Sequence, residues 1–207
     1  MYKRYVKRPL DITLALAVIV LTLPLTLFTA LLIKVSSKGP VLFRQERTGI
    51  GGANFKIYKF RTMTHNNDVR DITKGNQLTT VGKYVRALSV DEIPQLINIV
   101  KGIVKGEMSF IGPRPWIPEY YEFMTKEQRH RVDVLPGMTG LAQVHGRNSL
   151  TIYEKIDYDL GYVKRISPRE DAKIVFLTFK AIVAKGSREI EKHGIHTELS
   201  LLKDQRG

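Results

Sequence analysis

From Ile12 to Ile33 the chain reads ITLALAVIVLTLPLTLFTALLI, without one charged side chain. A run of about 20 apolar residues is long enough to cross the hydrocarbon core of a bilayer as a helix. It exceeds the apolar region of a secretory signal, and no small-residue cleavage site follows it. A buried core helix is the plain alternative, but no polar stripe marks a side that would face water. Membrane insertion is therefore the expectation. A chain of 207 residues then has room for that anchor and one further domain.

The path of the segment is a separate matter. Pro24 stands mid-run, where proline removes a backbone hydrogen bond and crowds the preceding turn. Lys3, Arg4, Lys7 and Arg8 precede the run, and Lys34, Lys38, Arg44 and Arg47 follow it. Basic flanks favour the cytoplasmic side, and a straight span satisfies only one of them. A re-entrant helix broken at Pro24 satisfies both. The carbonyl of Val20 is then freed, and Thr22 is placed to help it. Asp11, just inside the entry, is placed to pair with Lys7 or Arg8 at headgroup depth.

Lys plus Arg number 33 against 20 Asp plus Glu, a net charge of +13, which directs attention to anionic partners. Nucleic acid, a phosphate-bearing substrate and an anionic membrane face all qualify. Cysteine is absent, which excludes disulfide scaffolds, thiolate metal sites and thiol catalysis.

The expected fold class is α+β: a re-entrant anchor over 1–38, a small, mostly helical catalytic domain with a β-hairpin over 39–190, and a polar C-terminal tail, loose or ordered on binding, over 191–207. Val41–Arg47 and Asn54–Thr62 read as the hairpin strands, with Phe55, Ile57 and Phe60 as apolar positions. The intervening Thr48-Gly49-Ile50-Gly51-Gly52 is a turn and not a phosphate loop, because a strand follows instead of a helix. Met63–Thr80 is polar and reads as a mobile loop; Val81–Arg86 is a short helix or an extended segment. Thr125/Gln128 and Thr151/Glu154 have capping-box spacing, and Ser167-Pro168 opens another helix. That helix stripes Ala172, Val175, Phe176, Phe179, Ile182 and Val183 on one side, with Gly186 to stop it. It packs on the core or lies in the membrane interface, core packing being the expectation. Ile99–Gly102 is repeated at once as Ile103–Gly106, which adds one helical turn.

Chemistry concentrates in Ser89-Val90-Asp91-Glu92-Ile93-Pro94. On spacing alone, helix capping is the simpler use of these acids, and capping by Asp91 keeps Pro94 in a tolerated first-turn position. Three rigid loops then carry isolated arginines or glycines: Gly112-Pro113-Arg114-Pro115, Pro136-Gly137-Met138-Thr139-Gly140 and Gly146-Arg147-Asn148. Arginine suits bidentate phosphate contacts. Each loop alone reads as an ordinary turn with a solvated arginine.

Together these segments resemble the small monotopic polyprenyl-phosphate phosphoglycosyl transferases, the bacterial sugar transferases of the PglC type. The resemblance runs through Lys7-Arg8-x-x-Asp11 before the Pro24 helix and through Phe55-x-x-Tyr58-Lys59-Phe60-Arg61-Thr62-Met63. It continues in Arg86-x-x-Ser89-x-Asp91-Glu92-x-Pro94-Gln95-Leu96, in Lys105 to Pro115 and in Pro136 to Asn148. The doubled Ile-Val-Lys-Gly and His145 depart from the family pattern. The resemblance implies transfer of a sugar 1-phosphate from a UDP-sugar to undecaprenyl phosphate, with release of UMP, at the cytoplasmic face of the bacterial inner membrane. It implies Mg²⁺ and a covalent phosphosugar–aspartate intermediate. Asp91 is then the nucleophile and Glu92 the Mg²⁺ ligand. Arg86, Arg114 and Arg147 become phosphate contacts, followed by Lys59 and Asp159.

Two rivals were weighed. A basic nucleic-acid-binding protein fits the charge but leaves the apolar run unexplained and lacks a recognition motif. A non-catalytic membrane scaffold leaves Asp91-Glu92 idle. His193-x-x-His196 offers only two ligands and reads as surface histidines, not a metal site.

Overall fold

In the computed structural model, the structure describes residues 2–64, 78–105, 107–146, 149–183 and 195–204. Helices dominate, with two small two-stranded sheets, as the α+β expectation requires. The chain divides into two compact units. One comprises Ile12–Gln45 and Lys56–Val100; the other comprises Met1–Asp11, Glu46–Phe55 and Lys101–Gly207.

The apolar run forms α1, Arg8–Ser36, preceded by a π-helical turn over Lys3–Lys7. Only 11% of its most apolar stretch is buried within the protein, which rules out the core-helix alternative. Val20, Leu21, Leu27, Phe28 and Leu31 all point outward. The expected break at Pro24 is not a loss of helix: helical backbone continues through it. Thr22 Oγ1 donates to the carbonyl of Val18 at 2.7 Å, not to that of Val20, because a hydroxyl in a helix reaches the carbonyl four residues back.

The hairpin strands β1, Leu42–Thr48, and β2, Asn54–Phe60, pair as a two-stranded sheet. Ile33 of α1, Phe60 and Val85 form the local core. Arg61, buried directly after β2, caps the exit of α1. Its guanidinium donates to the carbonyls of Lys38 (2.7 Å) and Ser37 (2.9 Å) and to Ser37 Oγ (2.8 Å). Thr79 caps α2, Thr80–Ala87, settling the choice over Val81–Arg86 in favour of helix. Gly82 lets α2 lie against backbone, since a Cβ there would sit 2.0 Å from the Thr62 carbonyl oxygen. Met63 bridges Leu78 at the ends of the expected loop, whose residues 65–77 lie outside the described ones. Helix α3, Gln95–Lys105, takes Ile99–Lys105 of the doubled Ile-Val-Lys-Gly into one helix, and Gly106 lies outside the described residues.

The second unit is built around a pairing that the sequence reading missed. Strands β3, Ser109–Ile111, and β4, Gly137–Thr139, run parallel, with Ser109 opposite Gly137 and Ile111 opposite Thr139. This draws the Gly112-Pro113-Arg114-Pro115 loop against Pro136–Gly140. Gly112 N donates to Thr139 O, and Gly137 N to Pro113 O, both at 2.9 Å. A Cβ on Gly137 would fall 2.1 Å from Gly112 N, so the approach requires glycine.

Helices α4 (Pro118–Phe123), α5 (Lys126–Arg129), α6 (Leu141–His145) and α7 (Ile152–Arg165) follow, and both capping boxes form as expected. Helix α8, Pro168–Val183, is opened by Ser167, whose Oγ accepts from Glu170 N. Its expected packing is corrected. Ile174 is fully buried, whereas Phe176 and Phe179 are 69% and 65% exposed. The cause is Asp171, which turns inward to accept from Lys7 Nζ (2.8 Å), Tyr2 OH (2.6 Å) and Tyr162 OH (2.7 Å). Thr178 follows on the same face, bonding Thr139 Oγ1 at 2.8 Å. That polar hub takes the core-facing side and leaves the apolar stripe outside. Gly186 lies outside the described residues.

The expectation of a loose tail is likewise corrected. Helix α9, Ile195–Asp204, seats Leu202 among Ile117, Tyr120, Met124, Ile152 and Ile156. Glu198, its one buried acid, accepts from Tyr120 OH (2.8 Å) and Lys155 Nζ (2.5 Å).

Candidate active site

Asp91 and Glu92 lie in a 3₁₀ turn, Val90–Glu92, wedged between α2 and α3. Ser89 opens the turn in the left-handed conformation at φ 57°, an uncommon state for a residue with a Cβ. Neither capping arrangement forms. Ser89 makes no side-chain cap, and Pro94 precedes the first residue of α3 instead of entering its first turn. The acids are thus released from the helix-capping role that their spacing suggested.

Asp91 is buried, while Glu92 is partly open. Burial raises the Asp91 pKa, Lys59 opposes the rise, the adjacent Glu92 charge adds to it, and Arg86 again opposes. Lys59, on β2, donates to Glu92 Oε1 at 2.7 Å. Its strand is held to α3 by Asn98, which accepts from Tyr58 N (3.1 Å) and donates to Lys56 O (2.8 Å). Arg86 ends α2, exposed, with its carbonyl accepting from Ser89 N. One compact unit therefore gathers four expected site residues: Asp91, Glu92, Lys59 and Arg86.

The other expected residues belong to the second unit or lie outside the described residues. Arg114 belongs to the second unit and is exposed on its loop. Its charge and burial together pull the pKa of Arg47 down to about 10, burial being the larger cause. Arg147 lies outside the described residues, as does His193. Asp159 is fully buried in α7 and is not placed to touch a soluble substrate. Its Oδ2 accepts from Arg131 Nη2 (2.6 Å) and Nε (3.1 Å). Arg131 also donates to the Arg114 carbonyl (2.8 Å) and lies 3.7 Å over the Trp116 ring. The sequence reading passed over Arg131, because nothing in His130-Arg131-Val132 distinguishes a buried arginine from a solvated one. Asp11 was expected to pair with Lys7 or Arg8. Instead it accepts from Ser109 Oγ at 2.6 Å, while Lys7 goes to Asp171 and Arg8 to the Met108 carbonyl.

Among the described residues no group of three or more His, Asp or Glu gathers to hold a metal ion. Adjacent Asp91 and Glu92 nevertheless fit a hard cation that takes one or two carboxylates and completes its shell with water and substrate phosphate. Their mutual repulsion is the electrostatic reason such an ion would be welcome there.

The bacterial sugar transferase family matches residues 2–185. The sugar transferase EpsL of Bacillus subtilis is 40% identical over 88% of this chain and 90% of its own length. A UDP-glucose:undecaprenyl-phosphate glucose-1-phosphate transferase of Caulobacter vibrioides is 40% identical over 86% of this chain and 69% of its own. The enzyme of that name from Escherichia coli K12 is 38% identical over 89% of this chain, which spans 42% of it. Neither a nucleic-acid-binding protein nor a scaffold finds support among these relatives. The chain belongs to the bacterial sugar transferase family.

Proposed function

We propose that this protein is a phosphoglycosyl transferase that moves a sugar 1-phosphate from a UDP-sugar to undecaprenyl phosphate in two displacements. Relatives named for UDP-glucose and for UDP-N-acetylgalactosamine support the donor class and the acceptor. The observation that carries the reading is a buried carboxylate, Asp91, set beside Glu92 and in the field of Lys59 and Arg86.

An Asp91 oxygen attacks the phosphorus that bears the sugar. The P–O bond to UMP breaks, and UMP leaves with the bridging oxygen. A phosphate oxygen of the lipid then attacks the same phosphorus and expels Asp91 as free carboxylate. Arg86 and Lys59 offset the charge of the phosphates that approach the nucleophile. Glu92, with Asp91 beside it, would hold Mg²⁺, which supplies charge neutralisation at the diphosphate when bound. Arg114 and Arg147 are carried as phosphate contacts on their motifs alone.

The membrane path belongs to the same proposal. Basic residues flank both ends of α1, and Pro24 sits at its middle, so the helix enters and leaves by the cytoplasmic leaflet, bending at Pro24 without unwinding. The exposed Val175, Phe176 and Phe179 stripe of α8 lies in the same interface, with Arg169, Lys173 and Lys180 beside it for anionic headgroups. A donor from water and an acceptor from lipid then meet at a shallow site.

Incubation with a panel of UDP-sugars, Mg²⁺ and no lipid acceptor tests the chemistry. About one equivalent of UMP is expected per enzyme, with phosphosugar found on the Asp91 peptide by mass spectrometry. Asp91→Asn should abolish both. UMP released only when polyprenyl phosphate is added would defeat the two-step scheme.

A further inference from the structure

Of the ion pairs among the described residues that tie distant parts of a unit together, Lys59–Glu92 is the most exposed. Lys7–Asp171 and Arg131–Asp159 are sealed, with side-chain exposures of 9%/8% and 2%/2%. Lys59–Glu92 is open, at 21%/28%. Its backbone is held firmly all the same, since Asn98 bonds both Lys56 and Tyr58, and Arg61 is locked on the exit of α1. What remains free to move is the flexible four-carbon stem of Lys59 and its ammonium group.

We propose that Lys59 is the exchangeable counter-ion of the acid pair: it holds Glu92 while no divalent cation is bound, and cation binding displaces it toward donor phosphate. This rests on Glu92 being a ligand of the divalent ion, as proposed above. Two neighbouring carboxylates need positive charge in either state. Without a dication, Lys59 supplies it through its bond to Glu92 and its attraction to Asp91. A hard dication binds carboxylate oxygen at about 2.0–2.1 Å and brings its own water shell. A dication on Glu92 competes for the same carboxylate charge with the ammonium 2.7 Å from Oε1. The two cations at Glu92 therefore oppose one another, and each weakens the other by the same factor. The displaced ammonium is then available where phosphate charge arrives, so a single lysine serves the empty and loaded states in turn.

The test measures Mn²⁺ affinity by electron paramagnetic resonance on the full-length protein, without nucleotide. The variants are Lys59→Met, Glu92→Gln and the double variant, each first checked for native helix content by circular dichroism. Lys59→Met is expected to bind Mn²⁺ about 2–5-fold more tightly than the wild type, the scale of a partly exposed pair. The gain should vanish when Glu92 is already Gln, because nothing is left to compete for. An equal gain in both backgrounds would reduce Lys59 to a distant repulsive charge and overturn the exchange, as would an unchanged or weaker affinity. A Glu92→Gln protein that binds Mn²⁺ as tightly as the wild type would overturn the ligand assignment itself. That second failure is separate and recognisable.

Discussion

Asp91 is buried at a cost that Lys59 and Arg86 only partly offset, so its pKa stands above the usual 3.8. The native state then binds a proton more tightly than the unfolded chain does. The stability this group contributes is full below 3.8 and is lost as pH rises through the raised native value. In cation-free buffer, Asp91→Asn should therefore melt at a higher temperature than the wild type at neutral pH. The difference should close as pH falls toward the ordinary carboxylate range; a variant that melts lower at neutral pH would contradict this balance. Burial raises the Asp159 pKa in the same direction, but its counter-charge Arg131 is sealed in with it. Asp159→Asn leaves Arg131 charged and buried and should cost about 3–5 kcal/mol in urea unfolding. Replacing both partners by apolar residues of similar size should recover most of that loss. The motif around Asp91 singled out in the sequence a carboxylate that the fold buries. The same kind of motif misplaced Asp159 among substrate contacts, because an aspartate reads alike whether it meets phosphate or an arginine sealed inside the protein.

Among the elements, α8 shows how a correctly read pattern can be given the wrong surroundings. The stripe through Val175, Phe176 and Phe179 is present, but the inward face belongs to Asp171, Ile174 and Thr178. What decided the rotation was the set of donors from Tyr2, Lys7 and Tyr162, scattered along the chain and invisible to any local periodicity. Phe176→Glu with Phe179→Glu should leave stability within about 0.5 kcal/mol, as exposed substitutions do. Co-sedimentation with vesicles containing phosphatidylglycerol should fall several-fold; undiminished binding would remove α8 from the membrane reading. The parallel pair β3–β4 was illegible for a different reason. Strands of three residues carry too little alternation to register, and their pairing joins segments far apart in sequence. The capping boxes at Thr125 and Thr151, by contrast, form as the spacing predicts, since each is decided within four residues.

For the whole molecule, the long apolar helix, the hairpin and the family pattern were readable because each is written in consecutive residues. The division into two units was not, for its boundaries fall inside α1, the hairpin and α3. Topology can be tested directly, since the chain has no cysteine of its own. Cysteines placed at the exposed Lys3 and Lys38 should both react with a membrane-impermeant maleimide in inside-out vesicles and both be protected in right-side-out ones. Labelling on opposite sides would establish a true span in place of the re-entrant path.

The ties at the start of α1 bear on how the enzyme meets lipid. Lys7 and Arg8 would ordinarily answer to lipid charge, but one is neutralised by Asp171 and the other is bonded to the Met108 carbonyl. That leaves the exposed Lys3 ahead of the helix and Lys34 and Lys38 behind it to meet anionic headgroups. Reconstitution into purely zwitterionic liposomes should accordingly loosen adhesion without disturbing the Lys7–Asp171 tie.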